Sequence, residues 1–156
     1  MQPNHPHPDT HAPSQDATEH IGHLLRKAGQ RHTAIFQQHV GDKQLTAIQF
    51  VTLCALRDRG ASSQTELVDA TAVDQATIRG ILQRLAARRL IQQAPDQNDR
   101  RKVIVELTAQ GRDLLERITP RSRKISDLTL EALNPAERVA IVYLLHKMID
   151  SERAAA

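Results

Sequence analysis

The sequence is poor in aromatic residues and in cysteine, and both shortages restrict what the protein can be. Aromatic residues make up 2% of the 156 residues and tryptophan is absent, so leucine, isoleucine, valine and alanine must form the core. This composition favours helices over a β-sandwich. The lone cysteine, Cys54, cannot form a disulfide within the chain, so we expect the reducing environment of the cytoplasm.

Long apolar runs and catalytic motifs are missing as well. No run approaches the roughly 20 apolar residues that span a membrane, and the N-terminus has no apolar signal core. The sequence contains no glycine-rich phosphate loop, no nucleophile elbow and no cluster with metal-ligand spacing. We therefore expect a soluble protein that is not an enzyme, has no catalytic residues, binds no metal or cofactor and does not contact a membrane.

Residues 1–18 contain four prolines and almost nothing that a core could bury, which predicts a disordered N-terminal tail. Three histidines, His5, His7 and His11, lie in this tail. A metal site would need partner ligands that the tail does not offer, so these histidines do not change the expectation of a metal-free protein.

Apolar residues at spacings of three and four predict helices along most of the remaining chain. We expect helices at 19–40, 46–59, 64–70, 75–89 and 109–133, and a last one from Pro135. The expected N-caps are Thr46, Ser62 or Ser63, Asp74, Thr108 and Asn134. Pro120 should kink the fifth helix near Thr119. The expected buried stripes are Ile48, Val51, Cys54 and Ala55 on the second helix, and Ile78, Ile81, Leu82 and Leu85 on the fourth.

The short third helix, a tight turn and the longer fourth helix together predict a helix-turn-helix. The outward residues of the fourth helix are the candidate DNA contacts: Gln75, Ala76, Thr77, Arg79, Gln83 and Arg84. Arg79 could bond to guanine, Gln75 to adenine, and Thr77 to a phosphate or a thymine methyl group. A solvated helix face is the alternative, because glutamine and arginine suit water equally well.

A cationic hairpin follows the helix-turn-helix directly. Two apolar, strand-like runs between residues 90 and 108 flank a polar tip with three consecutive cations, Arg100, Arg101 and Lys102. Placed beside a helix-turn-helix, such a tip would lie at the neighbouring minor groove and its phosphates. We expect Asp99 to hold the guanidinium group of Arg101 in an extended pose. Arg88 and Arg89, at the end of the fourth helix, are further candidates for phosphate contacts.

The predicted fold is therefore mainly α-helical with a small β-hairpin wing. A winged helix-turn-helix at 45–108 would bind double-stranded DNA, and helices at 19–41 and 109–156 would form a dimerisation region. The terminal helices carry more apolar surface than one small core absorbs, so two chains should pack these stripes together. A twofold dimer would place its recognition helices about 34 Å apart, one turn of DNA.

Four segments resemble the MarR family of bacterial transcription regulators, in order and in spacing: Leu45–Phe50, Val73–Ile78, Leu85–Ile91 and Asp99–Gly111. The resemblance implies a homodimer that binds a pseudo-palindromic operator as a repressor and is released by a small aromatic carboxylic acid. It also implies that Arg101 enters the minor groove with Asp99 as its orienting partner. Many relatives carry a cation at the position of Gly80, so this chain would make fewer base contacts.

The first helix carries the candidate effector residues. His23, Lys27 and Gln30 share one helical face, and relatives that bind salicylate-like acids have cations at the positions of Lys27 and Gln30. Arg26 and Phe50 are further candidates for the pocket wall. A solvated face is the alternative. The opening of this helix resembles regulators of nicotinate and related aromatic-acid catabolism, which implies an effector such as 6-hydroxynicotinate.

Two other functions use the same fold. Some family members sense oxidants through one thiol, which raises the possibility that Cys54 is a sensor, although its position on an apolar stripe indicates inert packing. A DNA-binding regulator that responds to no small molecule is the second alternative. A screen for stabilisation by small acids distinguishes it from the ligand-responsive protein.

Overall fold

The computed structural model describes residues 20–150 of the chain. The tail at 1–18, its histidines and residues 151–156 lie outside the described residues. In chain order the elements are α1 (Ile21–His39), α2 (Ala47–Arg59), β1 (Ser62–Ser63), α3 (Gln64–Thr71), α4 (Gln75–Ala87), β2 (Ile91–Pro95), β3 (Val103–Leu107), α5 (Ala109–Thr129) and α6 (Pro135–Asp150). The predicted fold class, mainly helical with a β wing, is confirmed.

Side-chain caps fix the starts of α2 to α6, whereas α1 begins without a side-chain cap bond. The hydroxyl of Thr46 accepts from the backbone N–H of Gln49, and the side-chain oxygen of Gln49 accepts from the backbone N–H of Thr46. This pair of bonds is a capping box, and Ser63 and Glu66 form another at α3. The carboxylate of Asp74 accepts from the backbone N–H of Thr77 at 2.9 Å. Such caps satisfy backbone donors that have no partner inside the helix. Thr108 and Asn134 likewise cap α5 and α6, each accepting from the backbone N–H three residues on.

The sheet is antiparallel and has the strand order β1-β3-β2. Ile91 pairs with Leu107 and Pro95 with Val103, which defines the wing hairpin. The short strand β1, in which Ser62 pairs with Val105, was not predicted. Its two serines give no alternating apolar pattern, so only the presence of β3 beside them makes the segment a strand.

A compact core joins α2, α3 and α4 to the sheet and to α5. Its largest fully buried side chains include Leu53, Leu67, Ile78, Ile81, Leu85, Leu90, Val105, Leu115 and Ile125. All four residues predicted for the inner face of α4 are buried. This burial leaves the opposite face of α4 free for other contacts.

The buried face of α2 differs from the prediction. Val51 is 43% exposed, and Ile48, Cys54 and Ala55 are only partly buried. The buried residues are Gln49, Thr52, Leu53 and Leu56. Two polar side chains tolerate burial because their bonds are local: the Thr52 hydroxyl donates to the Ile48 carbonyl at 2.8 Å, and Gln49 belongs to the capping box. Apolar spacing alone therefore misplaced the most buried face and was wrong for Val51, whereas Ile48, Cys54 and Ala55 do pack against the core.

Helix α5 continues through Pro120 and ends at Thr129, earlier than predicted. The hydroxyl of Thr119 donates to the carbonyl of Leu115 at 2.7 Å, and that of Ser122 donates to the carbonyl of Thr119 at 2.8 Å. These bonds occupy carbonyls near the proline, which itself lacks an N–H donor. The kink stays a prediction.

The junction between the wing and α5 is closely packed. The backbone N–H of Thr108 donates to the carbonyl of Leu90 at 3.1 Å, and its hydroxyl donates to the carbonyl of Arg89 at 2.6 Å. A Cβ atom on Gly111 would overlap with that same Leu90 carbonyl. Only glycine fits here, which explains the glycine three residues after Thr108.

The terminal helices present a different surface. Within the described part of the chain, α6 has no buried residue. Its exposed large apolar side chains are Val139, Val142, Tyr143, Leu144, Leu145, Met148 and Ile149. The start of α1 exposes three more, Ile21, Leu24 and Leu25. Among residues 20–150, no helix combines the length and apolarity needed to cross a membrane.

Candidate nucleic-acid interface and effector cleft

The outer face of α4 forms the first part of the candidate interface. All six predicted DNA contacts on this helix are exposed: Gln75, Ala76, Thr77, Arg79, Gln83 and Arg84. A Cβ atom on Gly80 would meet only the guanidinium group of Arg84, at 3.7 Å. The exposed face is thus mostly polar, carries two arginines and has no side chain at Gly80, near its middle.

The start of α4 restricts what Thr77 can do. Its hydroxyl donates to Asp74 at 2.6 Å, while its backbone N–H donates to the other carboxylate oxygen. These bonds lower the pKa of Asp74, so the carboxylate stays charged at neutral pH. Because the hydroxyl proton is occupied, Thr77 can offer a base its methyl group or its hydroxyl oxygen as an acceptor, but no hydroxyl donor.

The wing tip forms the second part. The residues of this loop, 96–102, carry three exposed cations, Arg100, Arg101 and Lys102. Asp96 accepts from the backbone N–H groups of Asn98 and Asp99, which lowers the pKa of its carboxyl group. The loop is therefore shaped by aspartate turns, and its three cations stay exposed, with the charge of Lys102 adding to the hydrogen bonds that lower the pKa of Asp96 and Glu66.

The predicted pose of Arg101 is not found. The carboxylate of Asp99 accepts from the backbone N–H of Arg101 at 3.1 Å, and within residues 20–150 no ion pair joins it to the guanidinium group. An aspartate side chain reaches the N–H two residues on more readily than a side chain that points outward. Asp99 thus shapes the loop and leaves the guanidinium group of Arg101 exposed.

The two arginines at the end of α4 differ from each other. Arg88 forms an ion pair with Asp42 at 2.5 Å, and both side chains are largely shielded from water, 26% and 19% exposed. In this structure the group joins the end of α4 to the turn before α2, and its role in binding phosphate stays a prediction. Arg89 is exposed, with a positive φ of 58°.

The predicted effector residues are divided between two places in the chain. His23, Arg26, Lys27 and Gln30 lie along the first half of α1, where Arg26 and His23 share a hydrogen bond of 2.8 Å. Phe50 lies on α2 and packs against Phe36, farther along α1, with ring centroids 5.7 Å apart. Three of the four α1 residues are exposed, and His23 is half-buried.

A cleft between the α1–α2 turn and α5 was missed by sequence reasoning. It is open to solvent, has a volume of about 590 Å³ and is lined by Val40, Gly41, Asp42, Lys43, Leu114, Arg117, Ile118 and Arg121. Apolar residues form part of the lining, and Lys43, Arg117 and Arg121 supply three cations. The sequence did contain a signal: Leu114 and Ile118 alternate with Arg117 and Arg121 at a spacing of four on one helix.

Close packing at Gly41 positions one of these cations. Gly41 has a φ of 80°, and a Cβ atom there would overlap with the guanidinium group of Arg121. Beside it, Asp42 accepts from the backbone N–H of Gln44 at 2.9 Å and pairs with Arg88 of the recognition helix. The wall of the cleft is thus connected directly to the end of α4.

Cys54 lacks the surroundings of a reactive thiol. Burial raises the pKa of its thiol, and the charge of Arg57 opposes that shift only in part. A raised pKa keeps the thiol protonated at neutral pH, whereas thiolates are the reactive form. The structure therefore gives no support to oxidant sensing at this residue.

The chain is similar to known transcription regulators over most of its length. A model of the MarR family matches residues 43–102. The HTH-type transcriptional repressor NicR of Pseudomonas putida is 67% identical over 140 residues, which cover 90% of this chain and 89% of that protein.

Solved structures agree with this similarity. BpsR of Bordetella bronchiseptica, whose DNA binding is regulated by 6-hydroxynicotinic acid, is 59% identical, with a TM-score of 0.79 over 85% of this chain and all of that one. A mutant of MarR from E. coli in complex with operator DNA is 26% identical, with a TM-score of 0.76 over 82% of this chain and 92% of that one. The chain belongs to the MarR family of transcription regulators, and this family membership places it outside the enzymes.

Proposed function

We propose that the protein is a cytoplasmic transcription repressor that binds a pseudo-palindromic operator as a homodimer and is released by a hydroxylated pyridine carboxylate. The observation that carries DNA binding is the arrangement of α4 and the wing. The inner face of α4 is completely used by the core, while its outer face and three wing cations are exposed on the same winged helix. This is the arrangement that a major-groove helix and a minor-groove wing require.

We assign DNA contact to residues 45–108 and dimerisation to 19–41 and 109–156. Arg79, Gln83 and Arg84 would lie at base edges or phosphates of the major groove, and Arg100, Arg101 and Lys102 at the wing's groove. The exposed apolar faces of α6 and of the first half of α1 support the second assignment, because large exposed patches mark protein contacts.

Selection from a random DNA library with the purified protein tests the DNA-binding proposal. The expected product is an inverted repeat whose half-sites are centred about one helical turn, or about 34 Å, apart. Failure to enrich any sequence over the input library would contradict it. Recovery of a single unrepeated site would contradict the proposed dimer but would be consistent with the proposed DNA binding.

The effector proposal rests on the likeness to BpsR and on the chemistry of the cleft. An aromatic ring suits the apolar side chains Val40, Leu114 and Ile118, and a carboxylate suits Lys43, Arg117 and Arg121. The pairing of Asp42 with Arg88 offers a route from the cleft to α4. A carboxylate that enters beside Asp42 would add negative charge next to this pair.

Titration of the selected operator complex with 6-hydroxynicotinate tests the response. We expect the acid to lower operator affinity, and 6-hydroxynicotinamide, which has the same ring without the carboxylate, to act much more weakly. Equal effects of acid and amide would contradict carboxylate recognition. An unchanged affinity with both, together with no thermal stabilisation, would favour the regulator without an effector.

Two variants locate the effector. Arg121→Ala removes a cation from the cleft, and Lys27→Ala removes the candidate on α1. If the cleft is the site, Arg121→Ala raises the acid concentration needed for release at least tenfold, while Lys27→Ala leaves it unchanged. The opposite pattern would place the carboxylate at α1, in agreement with the sequence-based prediction and against the cleft.

A further inference from the structure

Two glutamines meet at the entrance to the recognition helix. Gln64 is the first residue of α3 and Gln75 is the first residue of α4. The side-chain amide nitrogen of Gln64 donates to the side-chain oxygen of Gln75 at 2.8 Å and also approaches the backbone carbonyl of Gln75 at 3.3 Å. Gln64 is half-buried, whereas Gln75 is exposed on the candidate DNA-binding face.

The backbone carbonyl determines how both amides are oriented. A carbonyl oxygen only accepts, so the end of the Gln64 amide that faces it must be the NH₂ group. The same NH₂ group also faces the side chain of Gln75, which must therefore offer its oxygen rather than its nitrogen. Neither amide can be rotated by half a turn without placing like groups against each other.

This arrangement leaves the Gln75 side chain better placed to donate to an outside partner than to accept from it. A glutamine recognises adenine by a pair of bonds, donating to N7 and accepting from the amino group at N6. Here Gln64 takes one of the two lone pairs of the Gln75 side-chain oxygen and holds this oxygen toward α3, while both hydrogens of the Gln75 amide nitrogen stay available. Guanine, with acceptors at N7 and O6, and thymine, with an acceptor at O4, match such a group better than adenine does.

We propose that Gln64 is a positioning residue that fixes the side-chain amide of Gln75 with its oxygen turned inward and its two N–H donors free, and thereby favours guanine or thymine over adenine at one operator position. The inference rests on the proposed DNA-binding function and corrects the expectation that Gln75 recognises adenine. It adds to the specificity of the interface a residue of α3 that lies outside the recognition helix.

We expect substitution of Gln64 to leave the fold of α3 intact. The N-terminal bonds of this helix come from Ser63 and Glu66, which cap each other, so the helix start does not depend on the Gln64 amide. Its neighbour Thr65 is exposed on the same first turn and supplies a matched control. Changes in base preference can then be separated from a general loss of stability.

The test is a random-library selection with the full-length protein and four variants: Gln75→Ala, Gln64→Ala, Gln64→Glu and Thr65→Ala. Gln75→Ala identifies the operator position concerned, as the one where base preference disappears. At that position we expect the unmodified protein to select guanine or thymine, and Gln64→Ala to raise the share of adenine severalfold. Gln64→Glu should turn the Gln75 amide nitrogen inward and favour adenine or cytosine, which carry amino donors. Thr65→Ala should leave every position unchanged.

The inference fails if the unmodified protein selects adenine at that position, if Gln75→Ala changes no position, or if Gln64→Ala alters affinity without altering base preference. Failure of the unmodified protein to enrich any DNA would instead contradict the proposed function. The two failures are thus distinguishable within one experiment.

Discussion

The recognition helix α4 and the terminal helix α6 treat their apolar residues in opposite ways. Ile78, Ile81, Leu82 and Leu85 of α4 are all at most 3% exposed, whereas Val139 and Ile149 of α6 are 73% and 67% exposed. Both helices begin at a strong N-cap, so local signals do not separate them. What separates them is whether a single chain supplies a packing partner.

The comparison indicates that the winged helix is complete in one chain and the terminal helices are not. Burying one large aliphatic side chain contributes about 1.5–3 kcal/mol, and α6 leaves several of them in water. If a second copy of the chain covered these side chains, their burial would stabilise the dimer. The dimer would also bring two recognition helices into a symmetric arrangement. In the proposed function the winged helix would provide the DNA-binding surface, and the terminal helices would pair two copies of it.

The largest expected effect comes from a charge on the apolar face of α6. Val142→Glu should break the dimer, because a carboxylate cannot enter an apolar interface without losing its hydration. Operator affinity should fall by two orders of magnitude or more, since avidity between half-sites is lost. Ala140→Glu adds the same charge on the side of the helix opposite Val142, beside Tyr143 and Leu144, and should lower operator affinity less. Equal losses in both variants, measured by sedimentation and operator titration, would refute the assignment of this face.

A substitution at the wing junction should affect the winged helix itself. In Gly111→Ala the new methyl group meets the carbonyl of Leu90, so we expect a loss of about 1–3 kcal/mol in the free energy of unfolding. Gly80→Ala is the control, because its methyl group has room and alanine favours the helix by about 0.5–1 kcal/mol. Chemical denaturation measures both. Similar stabilities in the two variants would show that the junction is not tightly packed.

The wing should influence affinity without influencing the dimer. Arg101→Ala is expected to weaken binding to most DNA sequences and to reduce the salt slope by about 0.9 for each phosphate that the side chain neutralises. Lys124→Ala removes a cation of α5 instead and should leave the slope unchanged. A slope that stays the same in Arg101→Ala, measured by operator titration across salt concentrations, would remove Arg101 from the interface.

The smallest expected effect is acid sensitivity of the α4 cap. Hydrogen bonds from Thr77 lower the pKa of Asp74 below its ordinary value of 3.8. The stability from this cap is therefore fully present above pH about 4 and is lost as the pH falls through the lowered value. Asp74→Asn keeps a capping oxygen without a titrating group, so its unfolding free energy should fall less between pH 5 and pH 3. Identical pH profiles in denaturation would contradict the capping account.

Features that depend on neighbouring residues in sequence were predicted well. The caps Thr46, Asp74 and Thr108 and the inner face of α4 need only a few adjacent side chains, and all are confirmed. Two errors depend on tertiary structure. The face of α2 was misassigned because Gln49 and Thr52 are buried with local bonds, and strand β1 exists only because β3 lies beside it.

In the candidate site too, features set by nearby residues were predicted and features set by tertiary contacts were not. Exposure of the α4 residues and of the wing cations followed from periodicity and from the hairpin pattern. The pairing of Arg88 with Asp42 was not predictable, because these residues are far apart in sequence and meet only in the fold. The cleft was missed for the same reason, since its two walls come from the α1–α2 turn and from α5.

Sedimentation equilibrium of the protein with its selected operator tests the central claim most directly. If the terminal helices are completed by a second copy, the free protein sediments at twice the mass of its 17.4-kDa chain, and each operator binds two chains. A protein that stays at the mass of one chain at concentrations that saturate the operator, with one chain bound per site, would contradict the account.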